Sequence, residues 1–254
     1  MKVTLLGTGT SQGVPVIGCN CIVCLSNDPK DQRLRSSVMV EVDNQTIIID
    51  TGPDFRQQML REKVQDIDAV LFTHHHKDHV AGMDDIRAFN HKWKKDIDIF
   101  CNSITAEAIK REFPYVFSED KYPGTPSVNL TVFDNESFQI NNTTVLPIQA
   151  KHYLLPVFGF RIYDFVYLTD VSEISEEEKR KMQNAELIIL DALRKEPHIS
   201  HFSLSQALNL LEELKPKKAL LIHISHYMGL HKEVEETLPD NISLSYDGQI
   251  VVIS

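Results

Sequence analysis

The amino-acid sequence predicts an α/β protein in which layered sheets are covered by outer helices. Short apolar segments of strand length recur along the chain and alternate with segments of helical periodicity, an order typical of such layers. The chain has 254 residues, of which 42% are hydrophobic, enough for one large core. It contains no low-complexity segment, internal repeat or plausible linker. We therefore expect a single domain over residues 1–254.

The strands are predicted from short apolar runs, several of which end in Gly or Asp turns. They are Val3–Leu6, Ser37–Val42, Thr46–Ile49, Ala69–Phe72, Ile97–Phe100, Val128–Phe133, Val145–Ile148, Gly159–Tyr163, Phe165–Leu168, Leu187–Leu190, Ala219–Ile222, Ile242–Tyr246 and Ile250–Ile253. The helices are Phe55–Arg61, Asp84–His91, Thr105–Phe113, Ser175–Gln183, Ser205–Leu214 and Lys232–Thr237. Ser203 or Ser205 is expected to cap the fifth helix, whose core face would hold Leu204, Leu208, Leu211 and Leu214.

Composition restricts the class of partner. The formal net charge of −10 argues against broad nucleic-acid binding, which depends on Lys and Arg neutralising phosphates. No apolar run is long enough for a transmembrane helix. The residues from Met1 to Gly7 read as a strand and a turn, without the apolar core of a signal peptide, so we expect a cytoplasmic protein without a membrane partner.

The most informative segment is H-x-H-x-D-H, formed by His74, His76, Asp78 and His79 directly after an apolar run. Imidazole binds zinc and related metals, and carboxylate also accepts harder ions such as manganese. A solvated His-rich loop is the alternative. It is disfavoured because the segment is internal, follows a strand and is interrupted by a carboxylate. We interpret it as part of a site for two metal ions.

Three further candidate ligands follow apolar strands: His152, Asp170 and His223. Two tetrahedral ions that share one ligand need about seven ligands, so the histidine segment alone is insufficient. Each residue taken singly could equally be a turn residue or a satisfied buried side chain. Rigid strand ends are nevertheless suitable places for ligands, and together with the histidine segment these residues complete a dinuclear set.

The chain resembles the metallo-β-lactamase-fold hydrolases over its whole length. The resemblance rests on Leu6-Gly7-Thr8-Gly9-Thr10, on Ile49-Asp50-Thr51-Gly52 and on the histidine segment. It implies a four-layer αβ/βα sandwich with the metals at one edge, between the sheets. It also implies that Asp50 orients the histidine loop rather than binding metal. The ligands implied are His74, His76 and His152 for the first ion, Asp78, His79 and His223 for the second, and Asp170 as the bridge.

A cluster of thiols near the amino terminus indicates a second kind of metal site. Cys19, Cys21 and Cys24 form C-x-C-x2-C, and a tetrahedral structural zinc would need one more ligand. His226 is the best fourth ligand. A disulfide between Cys19 and Cys24 and chance clustering are the alternatives. Cys101, alone on an apolar strand, is expected to be a core residue.

The cysteine cluster together with His223-Ile224-Ser225-His226 is similar to the PhnP group of phosphodiesterases. That group resembles ribonuclease Z without its substrate-clamping arm, and its members hydrolyse phosphoribosyl 1,2-cyclic phosphate. It has a histidine just before a late helix, a place that His201 fits. The coenzyme biosynthesis protein PqqB looks similar at the cysteine cluster, so the physiological substrate stays open at this point.

These observations predict a metal-dependent phosphodiesterase that acts on a small, cyclic phosphodiester. Two ions, zinc or manganese, would share a hydroxide that attacks phosphorus. Asp78 and His201 are the predicted catalytic residues, Asp78 as a proton acceptor and His201 as the acid that protonates the leaving alkoxide. Arg87 and Arg194 are either phosphate contacts or ordinary surface charges. His75, His91, His198 and His231 have no assigned role and are expected to be solvated.

Several alternatives stay open. The same dinuclear scaffold could serve a thioester or lactone hydrolase, an RNA 3′-processing enzyme, or a PqqB-like protein that uses one metal without hydrolysis. A metal-binding protein without turnover is a further alternative. The loops 90–95 and 121–125 could shape the pocket or a contact between two copies, so a homodimer also stays open.

Overall fold

The computed structural model describes residues 1–253, in which two seven-stranded sheets pack face to face. The strands are β1 (Lys2–Gly7), β2 (Ser37–Val42), β3 (Gln45–Ile49), β4 (Ala69–Leu71), β5 (Ile97–Cys101), β6 (Val128–Val132), β7 (Phe138–Ile140), β8 (Thr143–His152), β9 (Leu155–Ile162), β10 (Phe165–Leu168), β11 (Leu187–Asp191), β12 (Lys218–Ile222), β13 (Ile242–Leu244) and β14 (Ile250–Val252). The first sheet has the order β14-β1-β2-β3-β4-β5-β6 and the second β13-β12-β11-β10-β9-β8-β7.

Each sheet is antiparallel in one part and parallel in the other. Strands β3 to β6 run parallel in the first sheet, and β10 to β13 run parallel in the second. In a parallel array the carboxyl ends of the strands lie along one edge, and this is where the fold gathers functional side chains.

The helices cover the outer faces of the two sheets. They are α1 (Phe55–Arg61), α2 (Lys77–Val80), α3 (Arg87–Trp93), α4 (Ser103–Glu112), α5 (Pro114–Phe117), α6 (Glu176–Met182), α7 (Leu204–Leu214) and α8 (His231–Glu235). Buried side chains of α1, α3, α4 and α5 pack against the first sheet, and those of α6, α7 and α8 against the second. The result is the predicted four-layer αβ/βα sandwich, so the fold class is confirmed.

The strand β3 shows why these sequences form buried strands. Successive side chains of a strand point to opposite faces. Ile47 and Ile49 accordingly pack between the two sheets, whereas Ile48 packs against the helices. All three are fully buried, which explains why the strand reads as a continuous apolar run rather than as an alternating one.

Most predicted elements are present with boundaries that shift by a few residues. The prediction missed β7, whose partner is the neighbouring β8, and it ended β8 at Ile148 although the strand continues to His152. It also missed the four-residue helices α2 and α5. These segments are short or polar, so their secondary structure depends on contacts with the rest of the fold more than on local sequence. No helix within residues 1–253 is long and apolar enough to cross a bilayer.

The helix α7 begins as predicted, but its core face is rotated. Ser203 caps it, with Gln206 completing a reciprocal capping box. Its buried residues are Ala207, Leu210, Leu211 and Leu214, whereas Leu204 and Leu208 are only partly buried. The expectation that His231 is solvated was wrong: its side chain is buried against the guanidinium of Arg33, 3.1 Å from Nδ1.

Candidate metal centre

The seven predicted ligands of the dinuclear centre meet at the edge where the parallel strands end. The histidine loop follows β4, and α2 carries Asp78 and His79. The other three lie at the ends of strands of the second sheet: His152 ends β8, Asp170 follows β10 by two residues, and His223 directly follows β12. Residues far apart in sequence are therefore brought to one place by the strand order.

Three imidazoles cluster at one end of the centre. The ring centroids of His74 and His76 are 4.6 Å apart, those of His76 and His152 are 5.1 Å apart, and those of His74 and His152 are 5.7 Å apart. This is the set that the family resemblance implies for the first ion.

The second set is more tightly converged. His79 Nε2 lies 3.1 Å from Asp78 Oδ2 and 3.2 Å from Asp170 Oδ2, and His223 Nδ1 also lies 3.2 Å from Asp170 Oδ2. Two nitrogen or oxygen ligands about 2.1 Å from one tetrahedral ion would be roughly 3.4 Å apart. The observed spacings are close to that value, so these four side chains fit a metal ion.

The hydrogen bonds of the rings support the same reading. His79 Nδ1 donates to Asp50, 2.7 Å away, and His152 Nδ1 donates to the carbonyl of Ser200 at the same distance. A neutral imidazole that donates through Nδ1 carries its lone pair on Nε2. Both rings are thus held in the tautomer that binds metal through Nε2.

Several of these nitrogens are buried without a hydrogen-bond partner among the described residues: His74 Nε2, His79 Nε2 and His223 Nδ1. A buried polar atom without a partner costs about 1–3 kcal/mol. The ligand atoms of His79 and His223 lie within 4.8 Å of one another in one cluster with Asp78 and Asp170. A cation placed among them would satisfy these nitrogens.

Asp170 belongs to two ligand clusters. One consists of Asp78, His79, Asp170 and His223, and the other of His152, Asp170 and His201, with ligand atoms within 4.8 Å of one another in each. Asp170 is 2% exposed. A buried carboxylate shared by two clusters is suited to bridge two ions, as the sequence predicted for it.

Burial and the proximity of imidazoles to carboxylates shift the pKa values of the residues in the centre. Burial lowers the pKa of His74 and of His223. Burial also raises the pKa of Asp170, but the imidazoles of His223 and His79 outweigh it and hold that pKa well below its usual range. For His79 the carboxylates of Asp78, Asp170 and Asp50 outweigh burial and raise the pKa. The same three carboxylates would also favour a divalent cation at this place.

Asp50 supports the histidine loop through hydrogen bonds, which is the role that the family resemblance implies for it. It is fully buried and accepts hydrogen bonds from the backbone N–H of Thr73 at 2.9 Å and from the Thr73 hydroxyl at 2.8 Å, besides the bond from His79. The residue has φ of 65°, and Asp170 and His223 have φ of 55° and 61°. Left-handed backbone in such residues is strained and typical of functional sites.

Sequence reasoning missed one residue of the centre, Asp191. It ends β11, is fully buried, and its Oδ2 accepts from the N–H groups of Val171 and Phe202 at 3.2 Å. The same oxygen lies 3.3 Å from Nδ1 of His201. A signal was present, because Asp191 follows an apolar strand in the same way as the predicted ligands do.

His201 lies closer to the ligands than expected. Its ring centroid is 4.6 Å from that of His152 and 4.8 Å from that of His223. Burial lowers the pKa of His201, but the carboxylates of Asp191 and Asp170 outweigh burial and raise the pKa to about 9. These carboxylates favour the protonated form of the His201 imidazole.

The cysteine cluster forms a second candidate site. The Sγ atoms of Cys19, Cys21 and Cys24 lie 3.3, 3.4 and 3.4 Å from Nδ1 of His226. A sulfur and a nitrogen bound to one tetrahedral zinc, at about 2.3 and 2.1 Å, would be roughly 3.6 Å apart. The set fits a structural zinc. The thiols are free, as is the buried Cys101.

The cysteine loop has little apolar core of its own. Val14 and Val23 are buried, but Ile17, Ile22 and Leu25 are 99%, 71% and 63% exposed. The backbone N–H of Cys24 and the His226 ring lower the pKa of Cys21 to about 6, which favours the thiolate that zinc requires. The conformation of this loop therefore depends on the four ligands more than on hydrophobic burial.

Replacement of Cys21 by Ser is expected to remove about one zinc ion per chain and to lower Tm by several degrees, because a loss of about 2 kcal/mol shifts a chain of this size by roughly 4–8 °C. Elemental analysis and a thermal melt measure both effects. Cys101→Ala is the control and should keep the zinc content. Unchanged zinc in Cys21→Ser would contradict the assignment.

The family of the chain follows from comparison with known proteins. The family model described as the beta-lactamase superfamily domain matches residues 45–224. The crystal structure of a diphosphatase from the PhnP family is 36% identical, with a TM-score of 0.93 over 100% of this chain and 98% of that chain. The chain belongs to the beta-lactamase superfamily and, within it, to the PhnP family.

Two further relatives bear on the alternatives. The octanoyltransferase of Porphyromonas gingivalis (strain ATCC BAA-308 / W83) is 38% identical over an alignment of 256 positions, which covers 100% of this chain and 52% of that protein. The chain thus spans about half the length of this relative. The Zn²⁺-bound PqqB from Methylobacterium extorquens is 16% identical, with a TM-score of 0.81 over the full length of both chains. That likeness shows the fold alone.

Proposed function

We propose that this PhnP-family hydrolase cleaves a small phosphodiester, with a cyclic phosphodiester as the preferred class. The observation that carries the proposal is the convergence of Asp78, His79, Asp170 and His223 on one cluster of ligand atoms, with the imidazole of His201 directly beside it, 4.8 Å from that of His223 between ring centroids. Hydrolysis of a phosphodiester needs charge neutralisation at phosphorus and a proton for the departing oxygen, and these two parts supply them.

The ions would be held as the sequence predicted: His74, His76 and His152 for one, Asp78, His79 and His223 for the other, with Asp170 shared. When bound, two divalent ions lower the pKa of a coordinated water and neutralise the charge of the phosphoryl oxygens. Zinc and manganese both suit this mixture of imidazole and carboxylate. The cysteine site, with its sulfur ligands, would take zinc.

The chain's own residues then have separable roles. His201, with Nδ1 donating to Asp191, presents Nε2 toward the substrate and protonates the departing alkoxide there. The side chain of Asp78 is 12% exposed, against 2% for that of Asp170, so it is the carboxylate that solvent reaches more readily. We assign to Asp78 the acceptance of the proton from the attacking water.

Hydrolysis of an acyl ester or thioester is the second candidate, because an octanoyltransferase is similar over the whole chain. Apolar side chains near His152 and His201 suit an acyl group: Tyr153, Leu154 and Ile199 are 53%, 80% and 69% exposed. However, the transferase is about twice as long as this chain, so its acyl-transfer activity could belong to the part of that protein that this chain does not match. His201, as a proton donor for a departing alkoxide, favours a phosphodiester substrate.

The test is hydrolysis of bis-p-nitrophenyl phosphate by protein reconstituted with zinc or manganese. We expect metal-dependent turnover that Asp78→Ala lowers at least about a hundredfold, as loss of a proton acceptor does. An octanoyl thioester and a simple diphosphate diester, assayed in parallel, distinguish the acyl alternative and the P–O–P bond of the diphosphatase relative. Turnover of the thioester alone would contradict the proposal.

A further inference from the structure

Residues 15–25, the cysteine segment, have few contacts with the rest of the molecule. Among the described residues, the hydrogen bonds of this segment lie within residues 15–26, apart from the contacts with His226. Val23 is its one buried apolar side chain. The three thiols that lie 3.3–3.4 Å from Nδ1 of His226 are therefore the main non-covalent attachment of the segment to the chain that follows β12.

The same attachment lies next to the candidate metal centre. A cavity of about 200 Å³ is lined by Val16 from the cysteine segment, by Ser225 and His226, and by His201. His226 also follows the predicted ligand His223 by only three residues. Because His201 is the proposed acid, a change in the position of the cysteine segment changes the surroundings of the group that protonates the departing oxygen.

Two of the three thiols are placed so that they can form a disulfide. Cys21 and Cys24 have the C-x-x-C spacing of thiol–disulfide oxidoreductases. The backbone N–H of Cys24 donates to Sγ of Cys21 at 3.4 Å, and the ligand atoms of the whole cluster lie within 4.8 Å of one another. Both cysteines are half-buried, and the neighbouring Ile22 and Leu25 are 71% and 63% exposed, so a small oxidant reaches the sulfurs.

The fourth thiol of the chain does not share these properties. Cys101 lies on β5, is fully buried and packs in the core between the first sheet and its helices. Burial raises the pKa of its thiol to about 12, so the reactive thiolate does not form. Cys101 is therefore an internal reference for the reactivity of the cysteine cluster.

We propose that the cysteine site is an oxidation switch for the neighbouring hydrolytic centre. Hydrogen peroxide oxidises Cys21 and Cys24 to a disulfide, the segment loses its attachment to His226, and the wall of the cavity beside His201 loosens. The inference rests on the proposed phosphodiesterase function and adds a means of control to it.

The oxidation is a two-electron step that balances with peroxide and two protons. The thiolate of Cys21 attacks one oxygen of hydrogen peroxide, the O–O bond breaks, and a sulfenic acid forms with release of hydroxide. The thiolate of Cys24 attacks that sulfur, forms the S–S bond and displaces a second hydroxide. Two protons from solvent convert both hydroxides to water. Disulfide sulfurs no longer carry the thiolate that zinc requires, so only Cys19 and His226 remain as ligands.

The experiment treats full-length, zinc-loaded protein with hydrogen peroxide and then removes the oxidant. Peptide mass spectrometry, thiol titration and elemental analysis measure the disulfide, the free thiols and the bound zinc. We expect a Cys21–Cys24 disulfide, loss of two of the four thiols, and about one zinc ion fewer per chain. Dithiothreitol followed by zinc should restore the original protein.

Activity and backbone exchange report the effect on the centre. We expect kcat/KM for glycerol 1,2-cyclic phosphate to fall about tenfold on oxidation, because part of the contribution of the acid is lost. Bis-p-nitrophenyl phosphate, whose leaving group needs no acid, should lose less. Amide hydrogen exchange should become faster in residues 15–25 and 225–228, a readout that does not depend on turnover. Cys101→Ala is the control and should respond to peroxide as the wild type does.

Two results would overturn the switch while the proposed function stands. One is retention of zinc and free Cys21 and Cys24 under peroxide. The other is a disulfide with unchanged amide exchange and unchanged kcat/KM for the cyclic phosphate. If the reduced protein hydrolyses no phosphodiester at all, the proposed function fails, and control of that activity fails with it.

Discussion

Replacement of Asp170 by Asn is expected to abolish hydrolysis, with kcat on bis-p-nitrophenyl phosphate falling at least about 10³-fold. The carboxylate lies 3.2 Å from His79 Nε2 and from His223 Nδ1 and belongs to both ligand clusters. An amide has nearly the same shape but no charge, so the metal centre loses its shared anion. The predicted loss corresponds to several kcal/mol of transition-state charge stabilisation.

Metal content per chain is the decisive readout for Asp170→Asn. We expect the two ions of the histidine centre to fall to one or none, while the cysteine site keeps its zinc. Glu173→Gln is the control, because Glu173 lies three residues away but has a side chain 67% exposed. A variant that retained two ions and wild-type kcat would show that Asp170 is not the shared ligand.

Replacement of His201 by Ala is expected to have an effect that depends on the leaving group. Loss of a general acid costs typically 10²–10⁴-fold when the departing oxygen is an alkoxide. Nitrophenolate leaves without protonation, so bis-p-nitrophenyl phosphate should lose far less. The comparison of a cyclic glycerol phosphate with the nitrophenyl diester measures this difference. Equal losses on both substrates would contradict the role of an acid, and His91→Ala, an exposed histidine, should change neither.

Asp191→Asn extends this test to pH. The Asp191 carboxylate contributes to the raised pKa of His201, so its removal lowers that pKa. An acid must be protonated to act, and the rate therefore falls as pH rises through the pKa of His201. We expect the alkaline limb of the kcat profile to move to lower pH in Asp191→Asn. A merely structural role would lower the rate without moving the limb.

Those parts of the fold and of the ligand set that depend on short stretches of sequence were predictable. His223 and Asp170 each follow a mainly apolar strand, and the family resemblance supplied their roles. The direction of β3, with Ile47 and Ile49 facing one way and Ile48 the other, is equally a local property. Local patterns therefore predicted layered sheets with outer helices, and the family resemblance supplied the four layers and the edge at which the ligands meet.

What the sequence could not supply depends on contacts between distant segments. His231 is buried because Arg33, about 200 residues earlier, reaches it through a buried network. The position of β7 is determined by its pairing with β8 rather than by its three residues. A cavity of about 200 Å³ beside His201 likewise depends on the folded chain, because Gln12 and Tyr227 line it together with Arg194.

We propose that the histidine cluster holds two metal ions that share Asp170. Anomalous diffraction from crystals of the zinc-loaded protein tests it most directly. We predict two peaks about 3.5–4 Å apart among the six imidazole and carboxylate ligands and Asp170, and a third peak among Cys19, Cys21, Cys24 and His226. A peak at the cysteines alone, with none beside Asp170, would contradict the account.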